Sequence, residues 1–235
     1  MSSKQEWAFI NGLMKLQRPR IAVEIGVAKG GMAEAIYSAL DQNYKDTGIE
    51  SWYTGFDLWD THGVHNQFEQ MGSIDEVNTK LKSIGSRHAL VKINTQVNQD
   101  QFRQELKSRF TLGIDFAFID GCHSYAGIKN DFFNIWSHMN PNGIVAFHDT
   151  AVIDGCREFV ADLRINNNGS YDLSDYPYGT ENRNCGITLL TRPGFADVKI
   201  DEICDSPHVP EDIYAKEQMK IEPNSRWWLD NLQGR

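Results

Sequence analysis

The sequence predicts an α/β fold with a doubly wound, mostly parallel sheet of seven strands, an antiparallel last strand, and helices on both faces. Short runs of Ile, Val and Phe alternate along the chain with amphipathic segments, which is typical of parallel strands joined by right-handed crossovers. Two of these runs end in acids, at Phe118-Ile119-Asp120 and Phe147-His148-Asp149. Open α/β sheets bind ligands at the carboxyl ends of their strands, so these acids mark a candidate active site.

The elements follow in order along the chain. Apolar residues at helical spacing predict a helix over residues 4–17, which Pro19 ends. Strands are predicted at the short apolar runs, at 21–26, 52–57, 89–93, 114–119 and 144–147, with 186–191 as one arm of a terminal antiparallel pair. Helices are predicted between them, at 30–40, 73–84, 97–110, 125–138 and 152–165. Residues 140–143 form a tight turn, and residues 166–184 are predicted to be a long loop.

The length of 235 residues and the hydrophobic content of 40% suit one domain over residues 1–235. Its core is expected at about 20–192, with the N-terminal helix 1–18 and the tail 205–235 as caps or oligomer contacts. The Trp227-Trp228 pair in that tail must cover either the body of the domain or a partner subunit, which makes a homodimer one expectation.

Charge and composition exclude several classes of protein. The net charge of −9 argues against nucleic acid as a partner, because phosphate contacts need clustered Lys and Arg. No apolar run approaches the roughly 20 residues that span a bilayer, and the N-terminus lacks a signal-peptide core. The four cysteines show no metal-binding spacing. These observations predict a soluble, cytoplasmic protein with neither a nucleic-acid nor a membrane partner.

A glycine turn follows the first strand, at Glu24-Ile25-Gly26-Val27-Ala28-Lys29-Gly30. Its glycines let the backbone pass close to a ligand and enter the next helix at its N-terminus. It is not the dinucleotide fingerprint, which needs a glycine at Ala28, nor a phosphate-binding loop. The alternative is a plain turn between a strand and a helix.

Asp57 ends the second strand, where an acid can accept hydrogen bonds from the two hydroxyls of a ribose. The alternative is a helix cap or a loop acid. The neighbouring Leu58 and Trp59 could wall an adenine ring, although an aromatic residue beside a strand end is often part of the core.

Asp120 and Asp149 follow strands that are neighbours in the doubly wound order, about 4.8 Å apart. Their carboxylates can therefore converge, and they repel each other unless they share a proton or a cation. Carboxylate oxygens suit Mg²⁺ or Mn²⁺, which would hold and acidify a substrate hydroxyl. The alternative is that each aspartate caps the helix that follows it.

Four histidines lie near the predicted site. His123 shares a turn with Asp120, and because histidines titrate near neutral pH, it is a candidate base for a hydroxyl proton. His148 precedes Asp149 and is either a third metal ligand or points to the opposite side of the strand. His62 and His65 lie in the loop after the second strand, where a lid would be, and have no separate role assigned.

With these residues in place, the chain resembles the class I S-adenosylmethionine-dependent methyltransferases. It is most similar to the small-molecule O-methyltransferases typified by macrocin O-methyltransferase and the related cephalosporin-hydroxylase-like proteins. The resemblance runs from Ile21 to Thr191. The E-x-G-x-x-x-G pattern of the glycine turn carries it, together with the segments 119–125 and 141–149.

The resemblance implies a Rossmann-like fold and S-adenosylmethionine as cofactor. The cofactor-binding residues would be Glu24, Gly26 and Gly30 at the methionine end, Asp57 at the ribose, and Asp120. Asp120 and Asp149 would be metal ligands, and His123 and Asp120 the catalytic residues. One departure bears on the metal: metal-dependent relatives often carry an acid where this chain has His148, which leaves it one carboxylate short of the usual three. Asn142 replaces a common glycine, which a turn tolerates because Asn also adopts left-handed conformations.

The expected reaction is transfer of a methyl group to a hydroxyl oxygen of a small polar metabolite or sugar, with help from a divalent cation. The segments 60–72 and 166–184 would form the walls that select the acceptor. A metal-dependent hydrolase or oxidase on the same fold, without S-adenosylmethionine, is one alternative. A non-catalytic ligand-binding or regulatory protein is the second alternative. A nucleic-acid methyltransferase is a weaker alternative, because the chain is acidic.

Overall fold

The computed structural model describes residues 3–59, 72–167, 169–176, 179–180 and 183–191. Within these residues the helices are α1 (Lys4–Gln17), α2 (Gly31–Thr47), α3 (Ile74–Lys82), α4 (Gln99–Arg109), α5 (Tyr125–Trp136) and α6 (Asp154–Ile165). The strands are β1 (Ile21–Ile25), β2 (Trp52–Asp57), β3 (His88–Lys92), β4 (Ile114–Ile119), β5 (Met139–His148), β6 (Asp172–Tyr176), β7 (Gly179–Thr180), β8 (Arg183–Asn184) and β9 (Ile187–Thr191).

Seven of these strands form one sheet in the order β3-β2-β1-β4-β5-β9-β6. β1 to β5 run parallel, and β9 runs antiparallel to both of its neighbours, β5 and β6. β7 and β8 pair separately as a short ribbon. The doubly wound sheet with an antiparallel last strand is therefore confirmed.

The strand order reverses between β1 and β4. The chain builds β2 and β3 on one side of β1 and then crosses to place β4 on its other side. Crossovers that leave in opposite directions open a crevice above the carboxyl ends of the two central strands, which is where such sheets bind ligands. The glycine turn after β1 and the acid after β4 both lie at this point.

Alternation along the strands decides which side chains meet which helices. In β5, Val145 and Phe147 join the apolar cluster that packs against α4, α5 and α6. Ile144 and Ala146 join the opposite cluster, which packs against α1, α2 and α3. His148 follows in the same alternation and points to the second face, toward α1.

The N-terminal helix is packed firmly onto this second face. Ile10 and Met14 are fully buried. Two side-chain amides join α1 to α2: Asn11 Nδ2 donates to the Ala35 carbonyl at 2.7 Å, and Asn43 Nδ2 donates to the Met14 carbonyl at 3.0 Å. The predicted helix is confirmed, and its docking brings its first turn close to the carboxyl end of β5.

The structure corrects three boundaries. The segment predicted as a loop over 166–184 contains the edge strand β6 and the short strands β7 and β8. The residues of β6 are exposed or half-buried, so no apolar run marks it. The helix predicted over 30–40 continues to Thr47 and ends only at Gly48, which has φ +73°. The tight turn predicted at 140–143 is wrong, because these residues lie inside β5, which begins at Met139 and shifts its register with β4 between Ile114 and Phe116. Asn142 has φ +66°, a left-handed conformation that asparagine adopts more readily than most residues.

Some predictions fall outside the described residues, namely those on His62, His65, Trp227 and Trp228 and on most of the expected lid. Among the helices that the structure describes, none combines the length and the apolar character needed to cross a membrane.

Candidate active site

The glycine turn after β1 touches the end of β4. Gly26 has φ +90°, and a Cβ atom at this position would lie 2.0 Å from the carbonyl oxygen of Asp120. Backbone hydrogen bonds fix the approach, because Asp120 N donates to the Ile25 carbonyl at 2.8 Å and Gly26 N donates to the Phe56 carbonyl at 2.9 Å. Only glycine fits here, and the turn places the expected cofactor loop directly beside the candidate catalytic acid.

Asp57 ties the same turn to the end of β2. Its Oδ2 accepts a hydrogen bond from Ala28 N at 2.8 Å, and its Oδ1 accepts one from Trp59 N at 2.8 Å. Burial raises the pKa of Asp57, and these backbone hydrogen bonds partly offset the rise. Backbone N–H groups on both sides of Asp57 thus hold its carboxylate against the turn.

Trp59 belongs to the core and also flanks the glycine turn. It is 6% exposed within the apolar cluster of the second face. Its Nε1 donates to the Ala28 carbonyl at 3.3 Å. Leu58 beside it is half-buried. The structure therefore places both residues next to the turn, and Trp59 contributes to the packing there.

Glu24 is buried in β1 below the turn. The Tyr53 hydroxyl donates a hydrogen bond of 2.6 Å to its Oε2. Burial raises the pKa of Glu24 to about 8, with the Tyr53 hydrogen bond opposing the rise and the charges of Asp120 and Asp57 adding to it. The Glu24 carboxyl therefore carries a proton at neutral pH.

This proton makes stability depend on pH. Between about pH 4.5 and about pH 8 the folded chain keeps the Glu24 proton and the unfolded chain releases it, so the free energy of unfolding falls as pH rises through that window. At about 1.4 kcal/mol per pKa unit the loss amounts to several kcal/mol. Glu24→Gln, which stays neutral, is expected to flatten this dependence. Urea unfolding at several pH values measures how the free energy of unfolding changes with pH, with Glu50→Gln, at an exposed position, as control. The same pH dependence in both variants would contradict the assignment.

The two aspartates and His123 converge at the carboxyl ends of β4 and β5. Their register pairs Ile119 with Phe147, which brings Asp120 opposite the residue before Asp149. His123 Nε2 lies 3.3 Å from Asp120 Oδ1 and 3.4 Å from Asp149 Oδ2. The predicted convergence of the two carboxylates is confirmed, and the His123 side chain is 30% exposed.

His148 lies beneath these acids and contacts carboxylates through both ring nitrogens. Its Nδ1 is 3.0 Å from Asp120 Oδ1 and 3.3 Å from Asp149 Oδ2. Burial alone would lower the pKa of His148, but the charges of Asp120 and Asp149 raise it well above the usual range. Burial alone would raise the pKa of both aspartates, but the imidazole lowers that of Asp120 to about 2 and holds that of Asp149 well below its usual range.

Asp120, Asp149 and His123 place their ligand atoms within 4.8 Å of one another. Two carboxylate oxygens and an imidazole nitrogen fit a divalent cation such as Mn²⁺. His148, for which the sequence left open a ligand role or a place on the opposite side of the strand, lies between the aspartates and α1. Within the described residues, the three-atom set that includes both aspartates is therefore completed by His123.

Sequence reasoning missed Glu6 of α1, whose Oε1 lies 3.3 Å from His148 Nε2. The Ser3-Lys4-Gln5-Glu6 pattern signals a capping box at the start of a helix, and the structure contains that box. The pattern gives no sign that the same glutamate also reaches the end of β5.

A second missed group is the buried Asp131 on α5. Gln96 Nε2 donates to its Oδ1 at 2.8 Å, and burial raises the pKa of Asp131 to about 7. Its Oδ2 lies beneath Gly121, where a Cβ atom would come within 3.1 Å. Asp131 therefore lies directly against the turn that carries His123.

A sheet of this strand order, with a glycine turn after β1 and acids after β2 and β4, defines a class I methyltransferase fold. A family model described as a methyltransferase domain matches residues 23–150, which is more than half of the chain. The protein belongs to this family of methyltransferase domains. No curated protein matches the chain in sequence.

Solved structures share the fold. The O-methyltransferase TomG from Streptomyces achromogenes, in complex with S-adenosylmethionine, is 16% identical, with 83% of this chain and 82% of TomG covered and a TM-score of 0.61. The O-methyltransferase from Bacillus cereus, in complex with S-adenosylhomocysteine, is 14% identical, with 82% of each chain covered and a TM-score of 0.60. The S-adenosylhomocysteine-bound methyltransferase PaMTH1 from Podospora anserina is 16% identical, with coverage of 82% and 80% and a TM-score of 0.59.

Proposed function

We propose that this protein transfers the methyl group of S-adenosylmethionine to a hydroxyl oxygen of a small polar metabolite or sugar. One observation carries the proposal. The glycine turn expected to hold the methyl donor is in backbone contact with Asp120, and Asp120 lies within 3.3 Å of His123. A donor and a hydroxyl acceptor bound at this point would meet beside a base and two carboxylates.

The cofactor side is supported by the crevice between β1 and β4. Glu24, Gly26 and Gly30 would line the methionine end, Asp57 would accept hydrogen bonds from the ribose, and Leu58 and Trp59 would flank the adenine. The sulfonium of the bound cofactor supplies an activated methyl group. The tasks left to the chain are to orient the acceptor oxygen and to remove its proton.

His123 is suited to remove that proton. Its Nε2 lies beside Asp120 and Asp149, and its side chain is 30% exposed, so an acceptor hydroxyl bound in the crevice could reach it. His148 cannot take this role in the same way, because it is 1% exposed and a substrate has no access to it. The acidic net charge of −9 favours a small acceptor over a nucleic acid.

A divalent cation is a further part of the proposal. Asp120, Asp149 and His123 would hold it, and when bound it would acidify the acceptor hydroxyl. A nitrogen that binds a cation has no lone pair left for a proton. At His123 Nε2 the ligand role and the base role therefore exclude each other, and the effect of metal on turnover distinguishes them.

Calorimetric titration with S-adenosylmethionine and S-adenosylhomocysteine tests the proposal. We expect micromolar binding of both compounds, because the glycine turn and Asp57 are already in place. Parallel titrations with Mg²⁺, Mn²⁺ and a chelator test the cation. Absence of binding to either compound in all of these conditions would overturn the proposed function and favour a metal-dependent hydrolase or a non-catalytic ligand-binding protein.

A further inference from the structure

Glu6 is a buried carboxylate in an unexpected place. It lies in the first turn of α1, ahead of the residues that match the methyltransferase-domain family, and it is fully buried. Helix capping accounts for part of this position, because Glu6 Oε2 accepts a hydrogen bond from Ser3 N. It does not account for Glu6 Oε1, which lies 3.3 Å from His148 Nε2.

His148 links Glu6 to the two aspartates. Its ring places Nε2 toward Glu6 and Nδ1 toward Asp120 and Asp149, at 3.0 and 3.3 Å. An ionised carboxylate only accepts hydrogen bonds, so each contact needs a hydrogen on the ring nitrogen or on the facing carboxyl. Because Glu6 lies at Nε2 and the two aspartates lie at Nδ1, the His148 ring has one orientation in which all three carboxylates are contacted.

Without Glu6, the buried Nε2 would lose its carboxylate partner, and the neighbouring Cys185 Sγ, within 4.8 Å of the Glu6 and His148 ligand atoms, is a weaker hydrogen-bonding group. A buried polar atom that loses its partner costs about 1–3 kcal/mol, so the ring would turn or shift to recover a hydrogen bond. The contacts of Nδ1 with Asp120 and Asp149 would then loosen. These aspartates are the groups that flank His123, and their placement would loosen with them.

We propose that Glu6 is a positioning residue of the active site, which acts through His148 to hold Asp120 and Asp149 in place for methyl transfer. The N-terminal helix thereby supplies part of the site, although it lies outside the matched domain. The inference rests on the proposed function for its catalytic consequence. The contact between Glu6 and His148 can be tested independently.

The chain provides a matched control for the capping role of Glu6. Ser3→Ala removes the hydroxyl that accepts from Glu6 N and so weakens the same helix cap. Ser3→Ala leaves the Glu6 carboxylate and its contact with His148 unchanged. Glu6→Ala removes the carboxylate, and with it both the hydrogen bond from Ser3 N and the contact with His148. Glu6→Gln keeps an oxygen that can accept a hydrogen bond from His148 Nε2.

We expect Glu6→Ala to lower kcat by about 10- to 100-fold, the usual cost of removing a group that orients an active-site ligand. The KM for S-adenosylmethionine should stay unchanged, and Glu6→Gln should recover part of kcat. Release of S-adenosylhomocysteine is the measurement, with the best acceptor found among sugars, phenols and catechols. Equal kcat values for Glu6→Ala and Ser3→Ala would show that Glu6 only caps the helix.

A second measurement does not depend on activity. In ¹H–¹⁵N spectra of the histidine rings, with His148→Gln for assignment, we expect a slowly exchanging His148 ring N–H. It should persist in Ser3→Ala and shift or disappear in Glu6→Ala. An unchanged signal in Glu6→Ala would overturn the inference. If the unaltered protein fails to bind S-adenosylmethionine, only the proposed function is overturned. The spectrum still tests whether Glu6 holds the His148 ring.

Discussion

His123→Ala is expected to lower kcat by about 10²- to 10⁴-fold, the range that a positioned general base contributes. The reason is the geometry at the end of β4, where His123 Nε2 lies 3.3 Å from Asp120 and is open to solvent. Asp120→Asn should cause a comparable loss, because the neutral amide lacks the negative charge that faces the ring nitrogens of His123 and His148. Release of S-adenosylhomocysteine in the presence of the best acceptor measures both losses.

His138→Ala is the control for this prediction. His138 is half-buried and lies just before β5, where its carbonyl accepts from Ile114 N, at the opposite edge of the sheet. It should retain the turnover of the unaltered protein, and all variants should bind S-adenosylhomocysteine. Full turnover in both His123→Ala and Asp120→Asn would show that the acceptor proton leaves by another route.

Gly26→Ala is expected to destabilise the fold and to abolish cofactor binding. Its Cβ atom would lie 2.0 Å from the Asp120 carbonyl oxygen, and its φ of +90° is strained for any residue with a side chain. Backbone strain and overpacking together should cost about 3 kcal/mol or more. The ends of β1 and β4 would have to separate, which would displace Asp120 from His123. Urea unfolding and titration with S-adenosylhomocysteine measure the two effects.

Gly12→Ala is the matched glycine control. Gly12 lies inside α1, and a Cβ atom there would meet nothing within 4 Å. Because alanine loses less conformational freedom than glycine in a helix, this variant should be more stable by about 0.5–1 kcal/mol. A Gly26→Ala protein as stable as the unaltered chain, with normal cofactor affinity, would disprove the close contact between the two strand ends.

Strands and turns with strong local signals could be predicted from the sequence. β4 matches its predicted bounds because a run of apolar residues ends at Asp120. β6 could not be predicted, because an edge strand with exposed side chains needs no apolar run and is defined by its pairing with β9. The helix α2 continues beyond its predicted end at residue 40, because residues 41–47 contain no glycine or proline and Gly48 is the first residue able to stop it.

Most residues of the candidate site could likewise be predicted from the sequence, whereas most of their mutual contacts could not. The sequence by itself determined the glycine turn, the acids at the ends of β2, β4 and β5, and His123, because each follows directly from an apolar run and its break. Only the tertiary structure decided how these groups contact one another. The face that His148 points to depends on the strand pairing, and its link to Glu6 joins residues 142 positions apart. Such contacts arise when separate elements pack together, and no local sequence pattern encodes them.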